Sequence, residues 1–269
     1  MNSTKNCVLT INGGSSSIKF SLYRSEETLI QLFYCKTENI NTENTILSFH
    51  NTTTETALNR DCTRVVSCNT TSIVRTLTAL KNADLLFKAR GTLLRRATDP
   101  WESHLDGIIN TLVPEKDIPS HQGPDAQSVD PNFNVMTSAV KVPETLSHLH
   151  YWNVQLTRKA SKEEVLEAFK RSSRIAMIEY SQGLSANNTV KELMLSLNRP
   201  YGDMYEVALW KDMLKVVDDE LFYAYLVDNQ AIVVPETIDA IRALTGIEKD
   251  AIKSIQKTNL SLGIRLLFY

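Results

Sequence analysis

The sequence predicts an α+β fold: a mixed β-sheet domain with helices packed on it, preceded by a short β-hairpin segment. Strand-like stretches outnumber helical ones, and the strict strand-helix alternation that builds a doubly wound sheet is absent. Composition also shifts between residues 36 and 61, where Thr, Asn and Glu crowd out large apolar side chains. That shift places a boundary near residues 56–60, giving an amino-terminal segment over 1–56 and a larger domain over 57–269.

Taken in order, Val8-Leu9-Thr10-Ile11 is a short apolar strand, Asn12 to Ser17 a glycine- and serine-rich turn, and Ile18 to Tyr23 a second strand with period two. Together they make a hairpin. Ile46 to Phe49 is a further strand. Arg64 to Cys68 reads as a buried strand running into Asn69-Thr70-Thr71, which can cap an apolar-periodic helix from Ile73 to Leu80. Ser161 and Glu164 have capping-box spacing ahead of Val165, Leu166 and Phe169. A third helix runs from about Pro235 through Ile238, Ile241 and Leu244 to a glycine stop at Gly246. Between the helices, 135–142, 151–156, 175–178, 205–210 and 222–227 are strand-like.

The chain has 269 residues, 42% of them apolar, enough for a sizeable core. A formal net charge of -2 and a pI near 6.2 provide no basic field for nucleic acid or anionic lipid. No apolar run approaches the roughly 18 residues of a membrane span, and no leader pattern opens the chain. A cytoplasmic protein with neither nucleic acid nor membrane as partner is expected. Cys7, Cys35, Cys62 and Cys68 are scattered and form no C-x-x-C pair, so neither a disulfide scaffold nor a metal site is expected.

Cys68 is the sharpest chemical candidate. A thiol between a strand end and a helix N-terminus feels the positive end of the helix dipole, which favours its thiolate; the alternative is a small buried strand residue. His148 and His150 stand two apart in a strand-like stretch, so both rings share a face and either could reach a thiol as base; core imidazoles or a zinc fragment are the alternatives. Arg95-Arg96 follow Leu93-Leu94 at a strand end, suited to a phosphate or carboxylate as well as to a solvated terminus. His121-Gln122-Gly123-Pro124-Asp125 reads as a polar turn.

A set of colinear motifs resembles archaeal-type glyceraldehyde-3-phosphate dehydrogenase over roughly residues 58 to 264. It comprises Arg64-Val65-Val66-Ser67-Cys68-Asn69-Thr70-Thr71, Arg95-Arg96 before Asp99-Pro100, and Pro119-Ser120-His121-Gln122-Gly123-Pro124-Asp125. Further along come Val142-Pro143-Glu144-Thr145-Leu146-Ser147-His148-Leu149-His150, Val234-Pro235-Glu236 and Lys257-Thr258-Asn259. The resemblance implies that Cys68 attacks the aldehyde of glyceraldehyde 3-phosphate, that hydride passes to NAD or NADP, and that phosphate cleaves the thioester. By the same resemblance His148 is the base and acid, and Ser67, Asn69, Gln122 and Gly123 contact substrate. Arg95 would hold a phosphate, and Arg96 and Asn229 would lie toward the cofactor. A homo-oligomer through the catalytic-domain sheet is also implied. The chain departs from the family pattern at Gln122, where a second histidine is usual, and at Asp228-Asn229-Gln230, which replaces a His-Gln-Glu triplet whose glutamine faces the nicotinamide. Thr237 stands where an asparagine is usual.

Upstream, that family carries a Rossmann domain with a glycine-rich turn, and no G-x-G-x-x-G exists among the nine glycines here. No complete Rossmann domain is therefore expected, and dehydrogenase turnover is expected to be impaired. Val8 to Phe20 instead resembles the opening hairpin of acetate kinase, a member of the actin-like fold. Asn12 matches a magnesium-associated position there and Lys19 a nucleotide-associated one. Two other readings stand beside the dehydrogenase: a substrate-binding or oligomerising remnant of a gene fusion, and an acetate kinase-related fragment.

Overall fold

Cross-strand pairing and helix caps organise the protein, seen here in a computed structural model that describes residues 7–13, 17–25, 29–38, 46–51, 65–97 and 111–268. The chain divides into two compact units, residues 1–67 with 235–260, and residues 68–234 with 261–269.

In the first unit β1 (Cys7–Gly13), β2 (Ser17–Ser25), β3 (Leu29–Glu38) and β4 (Ile46–Asn51) form an antiparallel sheet in that order. The expected hairpin is present, with Asn12 paired to Lys19 across it, but it belongs to a four-stranded meander rather than standing alone. β3 escaped the sequence reading because Leu32-Phe33-Tyr34-Cys35 is a continuous apolar run without alternation. The boundary expected near 56–60 lies outside the described residues.

The second unit opens with α1 (Cys68–Asn82) and β5 (Leu86–Arg96), followed by β6 (Val113–Pro114), α2 (Gln122–Val129) and β7 (Val135–Val142). Next come β8 (His148–Leu156), α3 (Lys162–Lys170), β9 (Ile175–Ile178) and α4 (Asn187–Ser196). The last strands are β10 (Val207–Trp210), β11 (Lys215–Val217) and β12 (Glu220–Val227). The sheet runs β6-β7-β5-β8-β12-β10-β9, with β11 on β12. It is mixed, as expected: β5 with β7 and β9 with β10 are parallel, the other pairs antiparallel.

One sheet face buries Ala89, Leu93, Trp152, Val154 and Tyr223 against Ile73, Leu77 and Leu80 of α1 and Val165 and Phe169 of α3. Gly91 is required there, since a Cβ on it would lie 2.7 Å from the Trp152 ring. On the other face Val190 and Met194 of α4 cover only the β9-β10 end, with Ala176, Ile178, Ala208, Leu226 and Phe268. The remainder is open: Met136, Tyr151 and Phe222 are 38 to 43% exposed and line a cavity of about 620 Å³.

Ser161 caps α3 by accepting from the Glu164 amide at 3.1 Å. The reciprocal half of the expected box is replaced, because the Glu164 carboxylate binds Arg158. At the sheet edge the Met177 amide donates to the Leu266 carbonyl at 3.0 Å, and Leu267 bridges Met177 in parallel. Arg199 forks onto Glu206 at 2.6 and 2.7 Å and donates to the Gly263 carbonyl at 2.7 Å. The Arg265 amide also reaches Glu206 at 2.7 Å. Helices α5 (Val234–Thr245) and α6 (Ala251–Leu262) are joined by Ser254 and Thr258 hydroxyls donating to Asp239 at 2.7 and 2.6 Å. Gly246, at φ 71°, ends α5 as expected. Among the described residues no helix is long and apolar enough to cross a membrane.

Three expectations are corrected. Val65 to Ser67 form no strand, and α1 starts at Cys68 itself, five residues before Ile73. Its first turn is polar yet buried at Asn69, Thr70, Thr71 and Ser72, and Ser72 and Thr76 hydroxyls donate back to Asn69 and Ser72 carbonyls at 2.7 and 3.0 Å. Apolar periodicity cannot see such a turn. The segment from His121 to Asp125 is not a simple turn, because Gln122 onward is the start of α2. β8 begins at His148 rather than Tyr151, because Val227 of β12 pairs with His148.

Candidate active site

Helix α1 delivers Cys68 at its first residue, and β8 delivers His148 at its first residue. The Cys68 Sγ lies 3.4 Å from His148 Nε2. The loop before β8 is held by Glu144, whose carboxylate accepts from the Leu146 and Ser147 amides at 2.5 and 2.9 Å and from the Asn187 side chain at 2.8 Å. The Arg96 backbone amide, at the end of β5, donates to His148 Nδ1 at 2.9 Å. A neutral imidazole that accepts at Nδ1 carries its proton on Nε2, so His148 faces the sulfur as a donor.

His150 shares the buried face with His148, as alternation along β8 requires, but it does not meet the thiol. Its Nε2 lies 2.8 Å from Asn69 Oδ1 and its Nδ1 3.0 Å from the Tyr225 hydroxyl, which is 3.3 Å from Ser72 Oγ. The amide carbonyl of Asn69 is thus turned inward.

The expected bias toward thiolate is reversed. Burial pushes the Cys68 thiol up to about 11, against the pull of the Asn69 backbone amide and of the Arg95 and Arg96 charges. The helix N-terminus acts in the expected direction, and desolvation outweighs it. Burial likewise holds His148 well below its ordinary value, assisted by His150, Arg95 and Arg96. His150 falls to about 3 through burial and then Arg95. The resting pair is neutral thiol and neutral imidazole.

Arg95, the last but one residue of β5, forms an ion pair with Glu115, and its Nε is buried without a partner among the described residues. Its charge is felt at Cys68, His148, His150 and His121, so one guanidinium serves all four. Gln122, the first residue of α2, is fully buried with both amide atoms unpartnered, and Ser147 Oγ is in the same condition. Buried amides are nearly always satisfied, so a pair of empty valences points to a ligand. The Gly123 amide is already spent on Thr137 Oγ1 at 3.0 Å, and Ser67 lies in the segment leading into α1.

At the end of β12 the Asp228 carboxylate binds Lys191 at 2.7 Å and accepts from the Met204, Gln230 and Ala231 amides at 3.2, 2.9 and 3.0 Å. It belongs to the fold. The side chains of Asn229 and Gln230 make no hydrogen bond among the described residues. Arg96 reaches the Thr145 carbonyl at 3.3 Å.

Sequence reasoning missed Glu115, Glu144 and Tyr225. Glu144 lay within a quoted motif, and only its contacts show that it holds the His148 loop; Tyr225 resembles any strand aromatic.

Comparison with known proteins gives a consistent picture. Residues 67–213 match the family of the glyceraldehyde 3-phosphate dehydrogenase C-terminal domain. Glyceraldehyde-3-phosphate dehydrogenase 2 of Methanosarcina barkeri is 41% identical over 78% of this chain and 62% of its own length. The Pyrococcus furiosus enzyme is 41% identical over 78% and 61%, and that of Methanopyrus kandleri 40% over 78% and 60%. The chain therefore spans about three fifths of the length of these relatives.

Proposed function

This chain belongs to the glyceraldehyde-3-phosphate dehydrogenase family through that family's C-terminal domain, and from that premise we propose that Cys68 captures a phosphorylated aldehyde covalently. The observation that carries the reading is the contact of Cys68 Sγ with His148 Nε2, where the charge of Arg95 acts on both.

In the proposed step the thiol loses its proton to solvent and the Sγ–C bond forms. The carbonyl electron pair moves to oxygen, and the His148 Nε2–H hydrogen-bonds that oxygen. The tautomer set by Arg96 makes His148 a donor at this stage. Arg95, released from Glu115, binds the substrate phosphate, and Gln122 supplies a donor and an acceptor that do not titrate. NAD or NADP, when bound, supplies the acceptor for hydride from the captured carbon; Arg96 and Asn229 would hold its nicotinamide end. Inorganic phosphate is the second small-molecule partner.

The test is substrate protection. Glyceraldehyde 3-phosphate should slow iodoacetamide labelling of Cys68, scored by peptide mass spectrometry, and Arg95→Leu should weaken that protection about tenfold. Labelling indifferent to saturating substrate would overturn the reading. The homo-oligomer would use the open sheet face around Met136, Tyr151 and Phe222, and sedimentation as a monomer at every concentration would exclude it.

The resemblance of residues 1–56 to acetate kinase is supported by one observation, that Asn12 pairs with Lys19 across the hairpin. We read it as descent rather than activity.

A further inference from the structure

Cys68 is the first residue of α1, and the first residue of a helix is held by few hydrogen bonds of the helix itself. Something else must fix its position. Its neighbour Asn69 is 4% exposed, and the Asn69 side chain meets the fully buried His150 at 2.8 Å. His150 is in turn fixed by the Tyr225 hydroxyl at 3.0 Å and by ring packing on Tyr225, with centroids 5.0 Å apart. Asn69 Oδ1 can only accept, so His150 Nε2 donates and its Nδ1 is left as an acceptor facing the Tyr225 hydroxyl. Three elements, α1, β8 and β12, are thereby tied together one residue away from the sulfur. The Asn69 backbone amide is the strongest of the groups that favour thiolate at Cys68, so any loosening of Asn69 reaches the thiol directly.

Resting on the reading of Cys68 as the nucleophile, we propose that His150 is a positioning residue: through Asn69 it holds the first turn of α1 so that the Asn69 amide and His148 both stay aimed at Cys68 Sγ. His150 does not touch substrate. This adds to the role the family resemblance implies for Asn69, whose side-chain Oδ1 is taken by His150.

The readout is the pH dependence of Cys68 labelling by iodoacetamide in the full chain. The charged and titratable groups acting at Cys68 are His148 from β8 and Arg95 and Arg96 from β5. Those acting at His150 are Arg95 and its hydrogen-bonding partner Tyr225 from β12, with the uncharged Asn69 and Ser72 from α1. His150→Phe keeps the ring volume and removes both hydrogen bonds. It should lower the neutral-pH labelling rate about tenfold and move the midpoint of the profile upward, whereas His150→Gln, which keeps a donor for Asn69, should return both toward wild type. A merely structural histidine would lower the melting temperature of the folded variant and leave the midpoint where it was. A folded His150→Phe protein with the wild-type profile overturns the proposal. Should that variant fail to fold, Tyr225→Phe removes only the hydroxyl that orients the ring: a smaller upward shift is expected, and an unchanged profile overturns the proposal equally. The two readings fail separately. Loss of substrate protection in the wild type would strike the proposed function, and an unmoved midpoint strikes only the role of His150.

Discussion

Two clusters of polar groups in the second unit differ in how fully their hydrogen-bonding capacity is used. Around Arg199 and Glu206 the account closes: the guanidinium meets both carboxylate oxygens and the Gly263 carbonyl, and the Arg265 amide takes a further acceptor. Around Cys68 it does not close. Gln122 has two unpartnered amide atoms, Ser147 an unpartnered hydroxyl and Arg95 an unpartnered Nε, all buried. A saturated cluster is explained by folding alone. Buried donors and acceptors left open cost stability; Ser147, next to His148 in the chain, and Arg95, whose charge acts at Cys68, are the ones that a ligand at the thiol is expected to complete.

The sharpest way to break this contrast is to open the saturated cluster. Glu206→Gln leaves the Arg199 charge buried and half-paired, and should destabilise the fold by about 3 to 5 kcal/mol in denaturant titration, with Cys68 labelling unchanged under native conditions. Next in size is the converse change in the open cluster. Gln122→Leu replaces two unsatisfied atoms with apolar volume and should raise stability by about 1 to 2 kcal/mol while substrate protection of Cys68 is lost. A destabilised Gln122→Leu protein would mean that the amide serves the fold.

The smallest effect is electrostatic. A thiol with a folded-state value near 11, above the ordinary 9.0, binds its proton more tightly in the native state than in the unfolded chain. The stability this contributes is fully present below about pH 9 and is lost as pH rises through 11. Because the site is partly open, about 1 kcal/mol is expected, a shift of roughly 2–4 °C in Tm that Cys68→Ala should abolish. His150 runs the other way. Its lowered value means that the stability of keeping it neutral is present above about pH 6.5 and fades as pH falls toward 3.

Legibility in the sequence followed the same divide. Segments that owe their form to apolar periodicity or to a cap were readable: β7 and β9 have the expected bounds, Ser161 caps α3, and Gly246 ends α5. The first turn of α1 was not, because Asn69 to Ser72 are buried by tertiary hydrogen bonds rather than by hydrophobicity. Cys68 and His148, paired through the resemblance, lie 3.4 Å apart, whereas burial raises the thiol against the bias expected from its helix position. Helix position can be read from a sequence, whereas the burial that opposes it depends on tertiary packing, such as the contact with His148, which is distant in the chain.

The tail after Gly263 has a consequence for solubility. Ile175-Ala176-Met177-Ile178 is an uncharged, wholly buried strand at the margin of the sheet, and Leu266 and Leu267 occupy part of its outer row of amides and carbonyls. A protease that clipped the chain at Gly263 would bare that row and its apolar side chains together. The shortened protein would then present a template onto which the same strand of another molecule can add, and its fate would be aggregation rather than simple loss of a tail.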